Sequence, residues 1–352
     1  MKKNTLEILV HVVHKNLLLC LLILYGVAMI APQPGVWIRH CNFGAFQWLD
    51  GSSIQLSLPV LMLSFLLLNA GLGTRAQEFT QMAKTPKLLI TGVVANLLVP
   101  LSMISLFFLV GKSWHSSEEL QNILVGLAMV AAMPIAGSST AWAQNINGNL
   151  ALSLGLVFLT TLLSPWTTPL VLHAVGFLTL GDYSEDLHQL ASQGTNAFLV
   201  FSVILPSLVG IGIRQVSPAA LLKKITPGLK LINLINLLLL SYSNAAISLP
   251  QAFQKPDWDF LTLILIVCSI YCGTAFASGW LLAKIFKADA GAQASLMFGL
   301  GMNNNGSGLV LSSMAMADHP LIMLPIIFYN LAQQIMAGLV DRIMATRQAK
   351  AI

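Results

Sequence analysis

Phe298-Gly299-Leu300-Gly301-Met302-Asn303-Asn304-Asn305-Gly306-Ser307-Gly308 interrupts a long apolar run near the C-terminus. The stretch holds four glycines and three consecutive asparagines. Glycine weakens a helix and asparagine bonds its own neighbouring backbone, so we expect a helix to break here. Inside a bilayer such a break persists only where the freed backbone groups face protein or a water-filled cavity. The stretch therefore predicts a broken membrane helix whose backbone groups converge on a small polar site, as in many secondary transporters.

Composition places the rest of the chain in a membrane. Of its 352 residues 56% are hydrophobic and 9% are charged, and the mean hydropathy is +0.78. A soluble protein of this length needs more charge to cover its surface, so we predict an all-α polytopic membrane protein. The net charge of +5 lies in short loops between apolar runs, which indicates membrane orientation and no nucleic-acid partner.

Ten apolar runs are long enough to cross the bilayer, and the fourth and the ninth are the interrupted ones. They cover residues 16–32, 53–73, 88–111, 120–146, 149–179, 194–213, 229–249, 258–283, 290–317 and 319–340.

The basic residues orient these spans. Of the 18 Lys and Arg residues, fifteen fall at the termini and in the loops after even-numbered spans. Three fall on the other side: Arg39, Lys112 and Lys255. This asymmetry predicts an even number of spans in the cytoplasmic (inner) membrane, with both termini in the cytoplasm.

The second interruption lies in the fourth span. Pro134 removes a helix donor there, and Gly137-Ser138-Ser139-Thr140 adds flexible backbone and three hydroxyls. The two breaks occupy the fourth span of each half if the chain divides into five-helix repeats over 16–179 and 194–345. Corresponding breaks in inverted halves indicate a binding site at the middle of the membrane. The repeat is predicted from the pattern of breaks, since the halves show no convincing side-chain identity.

Several motifs resemble those of the bile acid:sodium symporter family. Gly301-Met302-Asn303-Asn304-Asn305-Gly306 is similar to the family's ninth-span signature, and Pro134 to Ser153 resembles its fourth-to-fifth-span segment. Ser164-Pro165 with Thr168-Pro169, and Gly92-Val93-Val94-Ala95-Asn96, resemble motifs of spans five and three. The resemblance covers most of the chain. It implies ten helices in a core and a panel domain, with broken helices four and nine crossing in the core.

The resemblance also implies a set of site residues. A first sodium site is expected near Ser139, Thr140 and Ser153. A second is expected from the side chains of Asn96 and Asn303 with the carbonyls of Leu300 and Met302. The predicted substrate-binding residues, at the two breaks, are Ser138, Ser139, Asn304 and Asn305. For single residues such as Asn96 or the hydroxyl groups, interhelical hydrogen bonding is the competing interpretation.

One family residue is missing from this set. Gly299 stands where the family has a glutamate that bridges both sodium ions, and Val157 stands where it has a threonine ligand. Within the ten spans no Asp or Glu lies away from a membrane end, since Asp50, Asp318 and Asp341 all sit near interfaces. Two close cations without an anion would repel strongly, whereas neutral oxygens can hold one. The sequence therefore predicts the loss of two-sodium coupling, which leaves one sodium, weak sodium dependence or uniport open.

The sequence thus predicts a secondary transporter of a small amphipathic organic anion, working as a monomer in the lipid bilayer by alternating access. A sodium-independent carrier or exporter on the same fold is one alternative. A non-transporting sensor that binds the anion is another. No cofactor other than sodium is expected, and no phosphate loop with its Lys is present. An enzyme is disfavoured because the spans hold no carboxylate pair, histidine cluster or nucleophile with its base. Proton coupling is disfavoured because only His173 lies within a span.

Overall fold

The structure is a computed structural model that describes residues 12–13, 16–47, 53–74, 86–193, 195–254 and 256–350. Nearly all of these residues are helical. Asp50 and Lys255, named above, lie outside the described residues. In chain order the elements are α1 (Leu17–Ile30), α2 (Gln33–His40), β1 (Asn42–Gln47), β2 (Ser53–Ser57), α3 (Leu58–Gly73), α4 (Pro86–Gly111), α5 (Ser117–Ala132), α6 (Ser138–Asn145), α7 (Leu150–Gly176), α8 (Asp182–Gln193), α9 (Thr195–Leu199), a π-helical segment (Val200–Ile204), α10 (Leu205–Val216), α11 (Ala219–Gln254), α12 (Trp258–Ile285), α13 (Ala290–Gly301), α14 (Asn305–Ala315), a 3₁₀ turn (Pro320–Ile322) and α15 (Met323–Lys350).

Six helices of the described chain are long and apolar enough to cross a membrane. The number becomes seven if α1 and α2, which meet at 93°, form one bent span. The halves of the two interrupted runs are each too short for this criterion, because the breaks leave helices of 8 to 16 residues. A polytopic membrane protein is confirmed on this evidence, and the number ten stays a prediction.

The expectation of a purely helical chain is wrong at one place. Residues 53–57, predicted to begin the second span, form a strand that pairs antiparallel with Asn42–Gln47, with Ala45 opposite Gln55. The sequence Ser53-Ile54-Gln55-Leu56-Ser57 alternates polar and apolar residues, which is a strand pattern. Helix α3 begins after it at Leu58, where Pro59 occupies the first turn and the Ser57 hydroxyl accepts from the Val60 N–H.

Helix α8 is a second element that the sequence reading missed. It is amphipathic: acidic residues occupy its first turn, and Leu187, Leu190 and Ala191 are buried at helical spacing. It packs against α7. This helix follows the fifth predicted span and is too polar to enter the bilayer itself.

The chain forms two compact units. Unit 1 comprises 1–76 with 197–256, and unit 2 comprises 77–196 with 257–352. In unit 1, α3 and α10 approach closely because Gly71 lies against the Ser207 carbonyl and Gly210 against the Leu68 carbonyl. In unit 2, α5 is buried along almost its whole length, and both interrupted runs lie in this unit.

Candidate functional site

Both predicted breaks are present in unit 2. The first separates α5 from α6 over Met133–Gly137, and the second separates α13 from α14 over Met302–Asn304. Pro134 lacks an N–H and thereby helps to end the first helix. We call these two segments together the crossing, because they lie against each other.

The crossing is held by backbone hydrogen bonds between the two segments. The Ala136 N–H donates to the Met302 carbonyl at 2.8 Å, and the Asn304 N–H donates to the Pro134 carbonyl at 2.9 Å. Ile135 and Asn303 therefore form an isolated antiparallel bridge. Each break supplies partners for backbone groups that the other has freed, which satisfies the requirement of a non-aqueous interior. The N-termini of α6 and α14 consequently meet at the crossing.

Helix α7 forms hydrogen bonds through hydroxyl groups to the first break and to Ala132 just before it. The Ile135 N–H donates to Thr160 Oγ1 at 3.1 Å, and Thr168 Oγ1 donates to the Ala132 carbonyl at 2.5 Å. Both threonines are buried. The sequence had marked Thr168 only as part of a family motif and had not marked Thr160.

Helix α15 forms hydrogen bonds to the second break and to Gly301 just before it. The Asn303 N–H donates to Gln333 Oε1 at 3.2 Å, and the Tyr329 hydroxyl donates to the Gly301 carbonyl at 3.2 Å. Gln333 is a buried amide in an apolar span, and that alone could have singled it out from the sequence.

Replacing Thr160 by valine is expected to destabilise the crossing without touching the predicted ligands. The buried Ile135 N–H would lose its acceptor, which costs about 1–3 kcal/mol of unfolding free energy. Thr161→Val is the matched control, because the Thr161 hydroxyl makes no hydrogen bond within the described chain. Melting temperatures of the two purified variants check this, and equal values would contradict the role given to Thr160.

Asn303 presents a free oxygen at the crossing. Its Nδ2 donates to the Val130 carbonyl at 2.8 Å, which fixes the orientation of the amide. Its Oδ1 is buried and has no partner among the described residues, and the residue is only 2% exposed. An unpaired acceptor in such a place is costly unless something else donates or coordinates to it.

The residues of the first expected sodium site are partly brought together. Ser153 Oγ donates to Thr140 Oγ1 at 3.3 Å, so α6 and α7 meet at these hydroxyls. Ser139 is fully buried, and its hydroxyl makes no hydrogen bond in the part of the chain that is described.

The residues of the second expected sodium site are brought together less completely. The Asn96 Oδ1 on α4 is buried and unpartnered among the described groups, like that of Asn303, but no hydrogen bond of the described chain joins the two residues. The Met302 carbonyl accepts from Ala136, which leaves one lone pair, while Leu300 is buried at the end of α13. The structure thus supplies oxygens of the expected kinds and does not itself assemble this set.

The four residues predicted to bind substrate differ in their surroundings. Ser138 is exposed at the first residue of α6, whereas Ser139 is buried. Asn304 Oδ1 accepts from the Ser307 N–H at 3.3 Å and so caps α14. Asn305 Nδ2 lies 3.5 Å from Asn330 Oδ1.

Comparison with known proteins fits this arrangement. The model of the sodium bile acid symporter family matches residues 60–255, which is more than half of the chain and includes the first break. The chain belongs to the sodium bile acid symporter family. Among its relatives in Bacillus subtilis (strain 168), the Uncharacterized sodium-dependent transporter YocS is 23% identical over 280 residues, covering 79% of this chain and 81% of the relative. The Uncharacterized protein YbaS is 26% identical over 216 residues, covering 61% and 67%.

Gly299 is the position at which the resemblance leads us to expect the family's glutamate. A Cβ at this position would lie 3.0 Å from Leu156 Cδ1 and 3.9 Å from Ile135 Cδ1. Leu156 is fully buried in an apolar cluster and also lies against Gly92. The atoms nearest to a Cβ at residue 299 are therefore hydrocarbon, and a larger side chain there would have to displace Leu156. Leu156 was not singled out from the sequence.

Proposed function

We propose that the protein is a secondary transporter of a small amphipathic organic anion, working by alternating access in the cytoplasmic membrane and coupled to a single sodium ion. The observation that carries this proposal is the paired crossing, in which the N-termini of α6 and α14 meet. Membership of a transporter family supports the class of function. The relative named as sodium-dependent supports the choice of ion.

The anion is attracted by the helix ends. A helix N-terminus carries a partial positive charge and free N–H groups, so two that meet favour a carboxylate or sulfonate. No Lys or Arg occurs in either break or in α6, α13 or α14. Apolar residues around the crossing would contact the hydrocarbon body of the anion.

The single sodium is inferred from the unpaired oxygens. Asn96 Oδ1, Ser139 Oγ and Asn303 Oδ1 are buried without partners among the described residues, and they are hard, neutral ligands of the kind sodium accepts. The breaks and helices α6, α13 and α14 contain no Asp or Glu. At about 4 Å two sodium ions would repel each other by roughly 4 kcal/mol even at an effective dielectric of 20, so without an acid one ion is favoured.

The same proposal includes the architecture. Counting each broken pair as one span, α1, α3, α4, α5–α6, α7, α9–α10, α11, α12, α13–α14 and α15 make ten. Unit 1 then corresponds to a panel domain and unit 2 to a core domain, from inverted repeats over 16–179 and 194–345. An even number of spans leaves both termini on the same side, and the excess of Lys and Arg on that side makes it the cytoplasm. We propose that the protein functions as a monomer.

Uptake into proteoliposomes tests the function. Labelled organic anions with apolar bodies, taurocholate and benzoate among them, are offered under an inward sodium gradient and under an equal potassium gradient. We expect saturable uptake of at least one anion, faster with sodium and hyperbolic in sodium concentration. Equal uptake in potassium would favour the sodium-independent carrier, and binding without uptake would favour the sensor. Either result would overturn the proposal.

A further inference from the structure

Unit 1 contains an arginine in contact with a membrane helix. Helix α2 packs closely on α11, because a Cβ on Gly35 would lie only 2.5 Å from Ala246 Cβ. One turn beyond Gly35, the half-buried Arg39 extends to α11 and donates from Nη1 to Asn244 Oδ1 at 2.6 Å. A half-buried charge packed against an apolar helix is costly unless it is paired.

No carboxylate of the described chain balances the charge of Arg39. No described carboxylate lies within 4.0 Å of its guanidinium, since the ion pairs of the described chain all involve other residues. Its neighbour on α11 is a neutral amide. A half-buried cation without a counter-charge is unfavourable, and an anion that joins it stabilises the protein.

The hydrogen-bond donors around Arg39 also outnumber the acceptors. A guanidinium only donates, so the Asn244 amide must turn its oxygen toward Arg39. Its Nδ2 is then left buried without a partner in the described structure, on a residue that is 0% exposed. Ser248 lies one turn further along α11, where the Cβ atoms of residues four apart are roughly 6 Å from each other. Its buried hydroxyl also has no partner among the described groups.

We propose that Arg39, Asn244 and Ser248 form a binding site for the carboxylate of a small organic acid. A carboxylate supplies the missing negative charge and accepts two parallel N–H bonds from a guanidinium, with lone pairs left for the amide and the hydroxyl. This site lies in unit 1 and is separate from the crossing, which lies in unit 2. It therefore stands or falls independently of the proposed function.

The test is thermal stability in potassium benzoate against potassium chloride at constant ionic strength, without sodium. A ligand that binds only the folded protein raises the melting temperature by mass action. We expect the melting temperature of the wild type to rise with benzoate concentration, and the two arginine variants below decide whether this site causes the rise. Arg39→Gln should weaken benzoate binding at least tenfold, and Arg214→Gln, the matched control in unit 1, should not.

A second variant keeps the test decisive if Arg39→Gln does not fold. Asn244→Asp places a carboxylate next to the guanidinium, so it should raise the melting temperature without benzoate and abolish the benzoate response. Three results would overturn the site: no benzoate response in the wild type, an undiminished response in Arg39→Gln, or an undiminished response in Asn244→Asp. The absence of a benzoate response in the wild type would overturn this site even if uptake through the crossing were demonstrated.

Discussion

Asn303→Leu is expected to abolish sodium-dependent uptake while leaving the protein folded. The substitution removes the unpaired Oδ1, which the proposal makes a sodium ligand, and the Nδ2 donor to the Val130 carbonyl. The backbone bonds of the crossing do not depend on the side chain, so the two segments stay paired. Losing about 3 kcal/mol of ion binding corresponds to a decrease in affinity on the order of 100-fold.

Asn233→Leu on α11 is the control for this variant, because Asn233 Oδ1 is likewise buried without a partner in the described chain but lies in unit 1. Initial uptake rates in proteoliposomes, normalised to folded protein, provide the measurement. Wild-type sodium dependence in Asn303→Leu would remove Asn303 from the site. A similar loss in Asn233→Leu would mean that any buried amide matters equally.

We expect a glutamate at residue 299 to strengthen sodium binding, but only when Leu156 is shortened to make space for the side chain. Gly299→Glu alone would bring its Cβ to 3.0 Å from Leu156 Cδ1 at a buried position, so we expect a lower melting temperature and no strong sodium response. Leu156→Ala alone should cost about 2–5 kcal/mol, because it leaves a cavity in the apolar cluster. The double variant combines the acid with the space it needs.

In the double variant, sodium should raise the melting temperature at concentrations at least tenfold lower than in the wild type, which corresponds to about 1.4 kcal/mol of added binding. Gly299→Ala with Leu156→Ala is the control, since it opens the same space without the charge. The sodium titrations of these two proteins are compared directly. Indistinguishable curves would show that the absence of the acid at residue 299 is not what limits sodium binding.

The sequence predicted the breaks well because their causes are local. Pro134 and the glycines and asparagines from 299 to 308 disfavour helix whatever surrounds them. The positions of the two breaks pointed to a shared site, and the family resemblance implied that the broken helices cross. The bonds of Ala136 and Asn304 confirm that the two segments meet.

The partners of the breaks could not be predicted, because they depend on tertiary packing. Thr160 is 25 residues from Ile135, and Gln333 is 30 residues from Asn303. Arg39 meets Asn244 across 205 residues, and in the sequence it counted only as one of three bases on its side of the membrane. The strand over 53–57 was a different kind of miss, since its alternation was visible and was outweighed by the apolar run that follows it.

The most direct test of the account is the melting temperature of the purified wild-type protein titrated with sodium chloride against potassium chloride at constant ionic strength. The account predicts a rise that is specific for sodium and is lost in Asn303→Ala, with a stabilisation that grows as RT ln(1 + [Na⁺]/Kd), as one site requires. Identical curves for sodium and potassium would contradict a sodium site built from neutral oxygens. A stabilisation that rises with a limiting slope of 2RT against the logarithm of sodium concentration, as two bound ions require, would contradict the single ion.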